Sequence, residues 1–316
     1  MRWLMTEQLK SKLQAVKKKP QSARFRLLDG VYIAMMIVPF VIGMLVKVLT
    51  EPASEGIQVT GALIYTTVPM PLQDLPITES QVNSWLVMIA VTGLCLFLTH
   101  GLSERACTKR QIIVEYMLEM AKNFVTGNMG ERFAGFAPFI VAIMALSAFS
   151  SLSSLVGMYP PTSDINVVAG WAILVFFLIT YYKLKGGLGN YLKSFADPIP
   201  VFAPFNVISE FAVPVSMSFR HYGNVLSGSV IAALVAAGLQ GLSSLLLGWL
   251  PGFLGKIPFL QIGIPAVLSV YFDVFSGCLQ AFIFAMLTML YIANGFPEEA
   301  YNKRMARKAK RKSHTA

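Results

Sequence analysis

The sequence predicts an all-α polytopic membrane protein, and three observations carry that prediction. Of 316 residues, 55% are hydrophobic and only 13% are charged, a more apolar balance than a soluble core requires. Several apolar runs reach the ~20 residues that a helix needs to cross a hydrocarbon core of ~30 Å. Lys and Arg gather between alternate runs instead of scattering, which is the pattern that orients a membrane protein. The net charge of +10 therefore points to lipid headgroups and membrane orientation. No basic-and-aromatic stripe or nucleic-acid motif accompanies it, so no nucleic-acid partner is expected.

Along the chain, residues 1–30 form a basic leader with eight Lys/Arg. It lacks the short apolar core and small-residue cleavage site of a secretory signal, so a cytoplasmic start is expected. A transmembrane helix follows at 31–50, with further spans at about 84–101, 136–157, 167–183, 205–249 and 261–295. The loops carry no Lys/Arg in 51–83, five in 102–134, none in 158–166, three in 183–193, only Lys256 before the last span, and seven after Gly295. That alternation gives six spans with both termini cytoplasmic. The fifth run would reach roughly 65 Å as one helix. Either it is a single strongly tilted span or it breaks in two near Pro214 or Gly228. The charge pattern favours one span, since a split would carry the basic tail outside. The last two spans then form a long tilted hairpin.

Between the second and third spans, "QIIVEYMLEMAKNF" (Gln111 to Phe124) spaces Ile112, Ile113, Tyr116, Met117, Met120 and Phe124 at helical intervals. This predicts an amphipathic helix on the cytoplasmic surface. Residues 51–300 read as one membrane domain and 301–316 as a basic cytoplasmic tail. Cys95, Cys107 and Cys278 show no metal-ligand or disulfide-framework spacing, so neither a metal, a cofactor nor a disulfide is expected.

The polar residues of the last two spans are the functional signal. "FRHYGNVLSGS" places Arg220, His221, Asn224 and Ser229 in an otherwise small and apolar helix. A buried unpaired guanidinium costs at least ~2.5–3.5 kcal/mol on insertion scales. Glu210 lies about 15 Å to the cytoplasmic side of Arg220 on the same helix. On the sixth span Asp273, Gln280 and Tyr291 fall on one helical stripe. Outer groups (Asn224, Ser229, Asp273), a centre (Arg220, Gln280) and an inner acid (Glu210) therefore flank a fixed positive charge. Structural readings stand beside this one. Arg220 could pair with Asp273 or Glu210 as a buried ion pair, Glu210 could be interfacial, and Asn224 with Gly223 and Gly228 could serve helix packing. Buried ion pairs are poor stabilisers, whereas intramembrane ionisable groups mark ion paths.

"PFNVISEFAVPVSMSFRHYGNVLSG" (Pro204 to Gly228) followed by "QAFIFAMLTMLYI" (Gln280 to Ile292) resembles subunit a of the F-type ATP synthase in its bacterial form. "LPITES" with Trp85, "FAPFI", "PPTSDINV" and "YLKSFADP" support the resemblance, which covers roughly 56–299 in order. The helix at 31–50 and its leader are additional to that family's minimal pattern. The resemblance implies the stationary ion-channel subunit of a rotary motor, not catalytic alone. It would carry protons through two offset half-channels to and from the carboxylates of a c-subunit ring, in a bacterial cell membrane. A b-subunit stalk and the remaining ATP synthase subunits are the implied partners, beside membrane lipid. Arg220 matches the family's motor arginine, Gln280 would orient it, and Asn224 would line the outer path.

Departures from the family's pattern are equally informative. At the place of Ser229 an acid or histidine is frequent, leaving Asp273 as the single outer carboxylate here. His221 and Tyr222 stand where Leu and Phe are commoner, and His221 is expected mainly to pack. Ser154 replaces a frequent Asn, and Asp164 either lines the outer channel or caps a helix. Two other function classes have signatures of their own. A secondary cation transporter should show repeated halves or paired broken helices, and an integral-membrane enzyme should cluster His or carboxylates on a cytoplasmic loop. Neither pattern is visible.

Overall fold

A computed structural model describes residues 23–50, 61–71, 73–102, 108–197, 199–247, 260 and 263–315. The first 22 residues of the basic leader, Cys107 and Lys256 lie outside the described residues. The architecture is all-α, with six helices long and apolar enough to cross a membrane. In order they are α1 (Ala23–Thr50), α2 (Glu79–Thr99), α4 (Ala137–Leu152) with its flanking 3-10 turns, α5 (Ile165–Leu184), α7 (Ala203–Leu247) and α9 (Gly277–Gly295). Between them lie α3 (Lys109–Met129), α6 (Leu188–Phe195) and α8 (Ile264–Ser269), and α10 (Glu298–Thr315) forms the tail. The sequence did not announce a short antiparallel ribbon, β1 (Ile64–Val68) with β2 (Leu75–Thr78), in register Val68 to Leu75. Such a ribbon is marginal alone; here the Glu79 N–H donates to Leu63 O at 2.7 Å and ties it to α2.

α1 and α2 pack closely because glycines remove the side chains between them. A Cβ at Gly93 would stand 2.8 Å from Met35 Cβ and 3.0 Å from the Met36 nitrogen, and one at Gly43 would meet Leu86 at 3.1 Å. Small residues at such a seam let backbones approach in the absence of a hydrophobic driving force. Both ends of α1 are also held by charge. The Asp29 carboxylate accepts from Arg110 at 3.0 Å and lies 2.9 Å from His100 Nδ1, while Lys47 donates to Gly157 O at 2.8 Å.

The core lies between α4, α5 and α9, where Ile140, Val175, Phe284, Met289 and Ile292 are buried, with Met217 of α7 against them. α3 joins it through Val125 and Met129. Thr108 caps α3 by accepting from the Gln111 N–H at 3.1 Å. Only part of its expected apolar face makes contact within the chain. Ile112 is buried and Phe124 lies tilted against Phe282 with ring centroids 5.7 Å apart, whereas Ile113, Met117 and Met120 stay exposed. An interfacial helix leaves its apolar side chains for lipid in this way.

α7 is one unbroken helix of 45 residues, as the charge alternation favoured. Pro214 sits inside it, and the Ser218 hydroxyl donates to Pro214 O at 2.7 Å, a local polar repair of the kind membrane helices use. The sixth span departs from expectation. In place of one α-helix from residue 261, α8 runs into a π-helical stretch, Val270–Ser276, before α9 begins. Wider i to i+5 turns set Asp273 back in phase from the α-helical stripe drawn through Gln280 and Tyr291.

Candidate functional site

Arg220 projects from α7 as an exposed side chain, and among the described residues no hydrogen bond or ion pair reaches its guanidinium. Neither candidate acid neutralises it. Glu210, whose side chain is only 9% exposed, pairs with Lys183 at 2.8 Å and accepts a hydrogen bond from the Tyr191 hydroxyl at 3.2 Å. Asp273 is half-buried in the π-helical stretch with Ser154 nearby, whose hydroxyl donates to Ser151 O at 2.9 Å, and among the described residues no cation pairs with it. The buried ion-pair explanation of Arg220 therefore has no partner among the described residues.

Gln280 is buried, and its Oε1 accepts from Asn224 Nδ2 at 2.8 Å. Among the described residues Gln280 makes no bond to Arg220; its bond joins α7 to α9 one turn beyond the arginine. Gly228 completes the seam, since a Cβ there would meet Phe272 at 2.9 Å. Gly223 does the opposite, with nothing within 4 Å of an added Cβ. The packing explanation thus holds for Gly228 and fails for Gly223, which shares an open flank with Arg220. Ser229 is exposed and spends its hydroxyl on Leu226 O at 2.8 Å; no described contact joins it to Asp273.

His221 points the other way from Arg220. It is fully buried beside Trp171 and Phe284, with Nε2 3.4 Å from Ser147 Oγ and no partner among the described residues for Nδ1. That is the environment of a packed side chain. Ser147 starts a feature that sequence reasoning missed: Ser147 and Ser151 on α4 and Ser154 in the 3-10 turn after it, spaced four and three residues apart. Ser151 meets Thr162 at 3.2 Å and Gly277 lies flush against it, where a Cβ would come within 2.7 Å. The readable signal was "SAFSSLSS", a polar stripe at helical period in an apolar span.

Beyond the C-terminal end of this file lies a second polar group. Asp164 caps α5 by accepting from the Asn166 N–H at 2.9 Å, and also accepts from Ser80, so the capping role is the one the geometry supports. Asn83 donates to Tyr159 O at 2.9 Å, and Glu79 is buried with Oε1 unpartnered among the described residues. Burial, then the nearby Asp164, Tyr222 and Glu79, push the Tyr159 hydroxyl above the ordinary tyrosine range. On the opposite side, two adjoining cavities of about 260 and 400 Å³ share Lys183, Glu210, Val213, Asn294 and Gly295, and Tyr291 lines the smaller. Burial and the Glu210 charge raise Tyr191 as well, so it donates to that carboxylate at neutral pH. No group of His, Cys, Asp and Glu among the described residues could hold a metal ion.

This arrangement offers polar groups to an ion from two sides, with a lone cation between them on an open helix face. A family model described as ATP synthase A chain matches residues 81–293. ATP synthase subunit a of Desulforamulus reducens is 32% identical over 227 residues, covering 70% of this chain and 80% of that protein. The subunit a of Acidothermus cellulolyticus is 31% identical over 68% of this chain and 75% of its own length. That of Priestia megaterium is 30% identical over 71% and 94%.

Proposed function

The chain belongs to the ATP synthase A chain family, and from that premise we propose that Arg220 is the residue at which ion flow is coupled to motion of a partner ring. As a member of the family it is a multi-pass membrane subunit of the ATP synthase complex, conducting protons in the Fo sector without catalysing a reaction alone. The secondary cation transporter is not favoured.

One observation carries the proposal: an exposed guanidinium on a long, largely open helix, with neither candidate acid of the chain paired to it. Such a charge in a membrane calls for a partner carboxylate, and c subunits of a rotating ring supply one in succession. Each carboxylate that faces Arg220 is held deprotonated by the opposite charge. The guanidinium itself never gives up its proton, so no proton hops directly between the two sides. Asp273 with Ser154 exchanges protons on the outer side, and the Glu210 cavities on the inner side. Asn224 and Gln280 hold α7 and α9 at the spacing that keeps the two paths offset. Both termini are cytoplasmic in a bacterial cell membrane, which the Lys/Arg distribution supports. A b-subunit stalk docks elsewhere on the subunit.

Cross-linking tests the open flank. With Cys95, Cys107 and Cys278 replaced, a Gly223→Cys subunit in native membranes should cross-link to the small ring subunit. A cysteine at Met35, inside the α1–α2 seam, should not. Cross-linking from neither position, in complexes of verified composition, would place the ring against another face and remove the assignment.

A further inference from the structure

The basic ends of the third, fourth and sixth spans enclose a cavity of about 320 Å³ that the channel does not use, lined by Arg132, Lys185 and the rings of Phe133, Tyr182, Phe296 and Tyr301. Arg132 comes from the turn Glu131–Phe136 that leads into α4, and Lys185 follows α5. The Arg132 guanidinium lies 5.0 Å over Phe296 and 5.4 Å over Tyr301, and Lys185 Nζ lies 4.3 Å over Tyr182. Ring faces attract these cations without neutralising them. Among the described residues the only carboxylate in ion-pair range of either is Glu298, 3.6 Å from Arg132 and 70% exposed. Arg304, donating to Lys185 O at 3.1 Å, adds a third positive charge beside the recess.

We propose that this cavity is a phosphate-binding site. The fork of Arg132 and the ammonium of Lys185 take the phosphate oxygens through charge-assisted bonds, while the aromatic walls cover whatever apolar part the ligand carries. A position at the ends of membrane spans suits the phosphodiester of an anionic phospholipid; inorganic phosphate presents the same chemistry. The proposal is independent of the channel mechanism, since none of its residues belongs to either proton path.

Gly135 gives a clean test. It lines the cavity, an added Cβ there meets nothing within 4 Å, and its φ is not positive. Gly135→Leu therefore fills the recess and leaves both cations and the Arg132–Glu298 pair in place. The intact complex is exchanged into vesicles of phosphatidylcholine with or without phosphatidylglycerol, and the lipid retained after detergent extraction is measured by native mass spectrometry. Labelled inorganic phosphate is offered in a parallel arm without anionic lipid. Phosphatidylglycerol retained by the wild type, and held roughly tenfold or more weakly by Gly135→Leu and by Arg132→Gln/Lys185→Gln, supports the site with a lipid ligand. Saturable binding of inorganic phosphate, lost in the same variants, supports it with free phosphate as the source. Equal binding of both ligands by wild type and an assembled Gly135→Leu complex would mean that the basic surface attracts anions without a site, and the proposal falls. Because Gly135→Leu keeps every charge, its binding decides between these outcomes even where the double variant fails to assemble.

Discussion

Two long helices of this chain treat their charges in opposite ways. Past the exposed Arg24 and Arg26 at its start, α1 carries Asp29 and Lys47, and both find partners in neighbouring segments of the same chain, Arg110 and His100 for one and the Gly157 carbonyl for the other. α7 carries Arg220, for which the described residues provide none. Their glycines differ in the same sense. Gly93 facing α1 has no room for a methyl group, and Gly223 facing outward has nothing near it. A helix whose interior charges and contours are satisfied within the chain is scaffold. One whose central charge and small residues are left open is made for contact with another subunit.

The largest effect expected follows from breaking that contrast at Arg220. Arg220→Ala should leave a normally assembled subunit, because no partner in the chain loses its counter-charge, while ion-driven ATP synthesis falls to background. Arg220→Lys should fail nearly as badly, since an ammonium can lose its proton in an apolar site and lacks the planar fork. The measurement is synthesis alongside passive proton conductance in membranes of verified subunit content. Near-normal synthesis by Arg220→Ala, or restoration by a second change at Glu210 or Asp273, would put Arg220 in the same class as Asp29.

Asp273 comes next. Among the described residues no cation or hydrogen-bond donor holds it, with Ser154 nearby, so it is free to exchange protons in a way that Asp29, held by Arg110 and His100, is not. Asp273→Asn keeps the shape and the hydrogen-bonding capacity while removing the titration. Coupled synthesis should drop by roughly tenfold or more with assembly unchanged. A drop of less than about twofold would move the outer path to the Ser147–His221 file.

Much of this contrast was legible in the residues. Charge alternation and apolar length gave the spans and the unbroken α7, and the cost of burying Arg220 marked the site before any geometry. The positions that escaped are those set by contacts distant in sequence. Lys183 and Glu210 are 27 residues apart, and Asn224 and Gln280 are 56 apart; nothing local to either pair foretells it. The π-helical stretch around Asp273 has no composition of its own, because its residues would suit an α-helix equally well. The serine stripe on α4 was readable in principle, at a helical period within "SAFSSLSS". Arg220 drew attention from it because a charge costs far more in hydrocarbon than a hydroxyl that can donate to its own helix.

A matched pair of glycine substitutions sharpens the comparison with a smaller effect. Gly93→Ala pushes a methyl against the Met35 side chain and the α1 backbone, which cannot yield as a flexible tip would. It should destabilise the subunit by about 1–3 kcal/mol, visible as reduced assembly and earlier thermal dissociation, with synthesis per assembled complex unchanged. Gly223→Ala should alter the subunit's own stability by no more than ~0.5 kcal/mol yet slow synthesis, because the methyl enters the ring interface. Equal stability losses in the two variants would show that both faces are packed within the subunit.

The smallest effect expected is at the inner acid, where satisfaction is shared between a charge and a hydroxyl. Glu210 keeps its Lys183 bond when Tyr191→Phe removes the phenol, so the loss is one hydrogen bond to a carboxylate, on the order of 1–2 kcal/mol, and only a partial slowing of synthesis. Its pH dependence has a definite sign. The tyrosine is raised by burial and by Glu210, so folding favours the protonated phenol. Its stabilisation is fully present below the unfolded value of ~10 and is lost as pH rises through the higher folded value. Thermal dissociation of wild-type and Tyr191→Phe complexes should therefore differ by a constant amount between about pH 6 and 9, and the two should converge only in strongly alkaline solution. A gap that closes near neutral pH would mean that the difference between the two complexes does not come from the protonated phenol donating to Glu210, and the role given to Tyr191 falls.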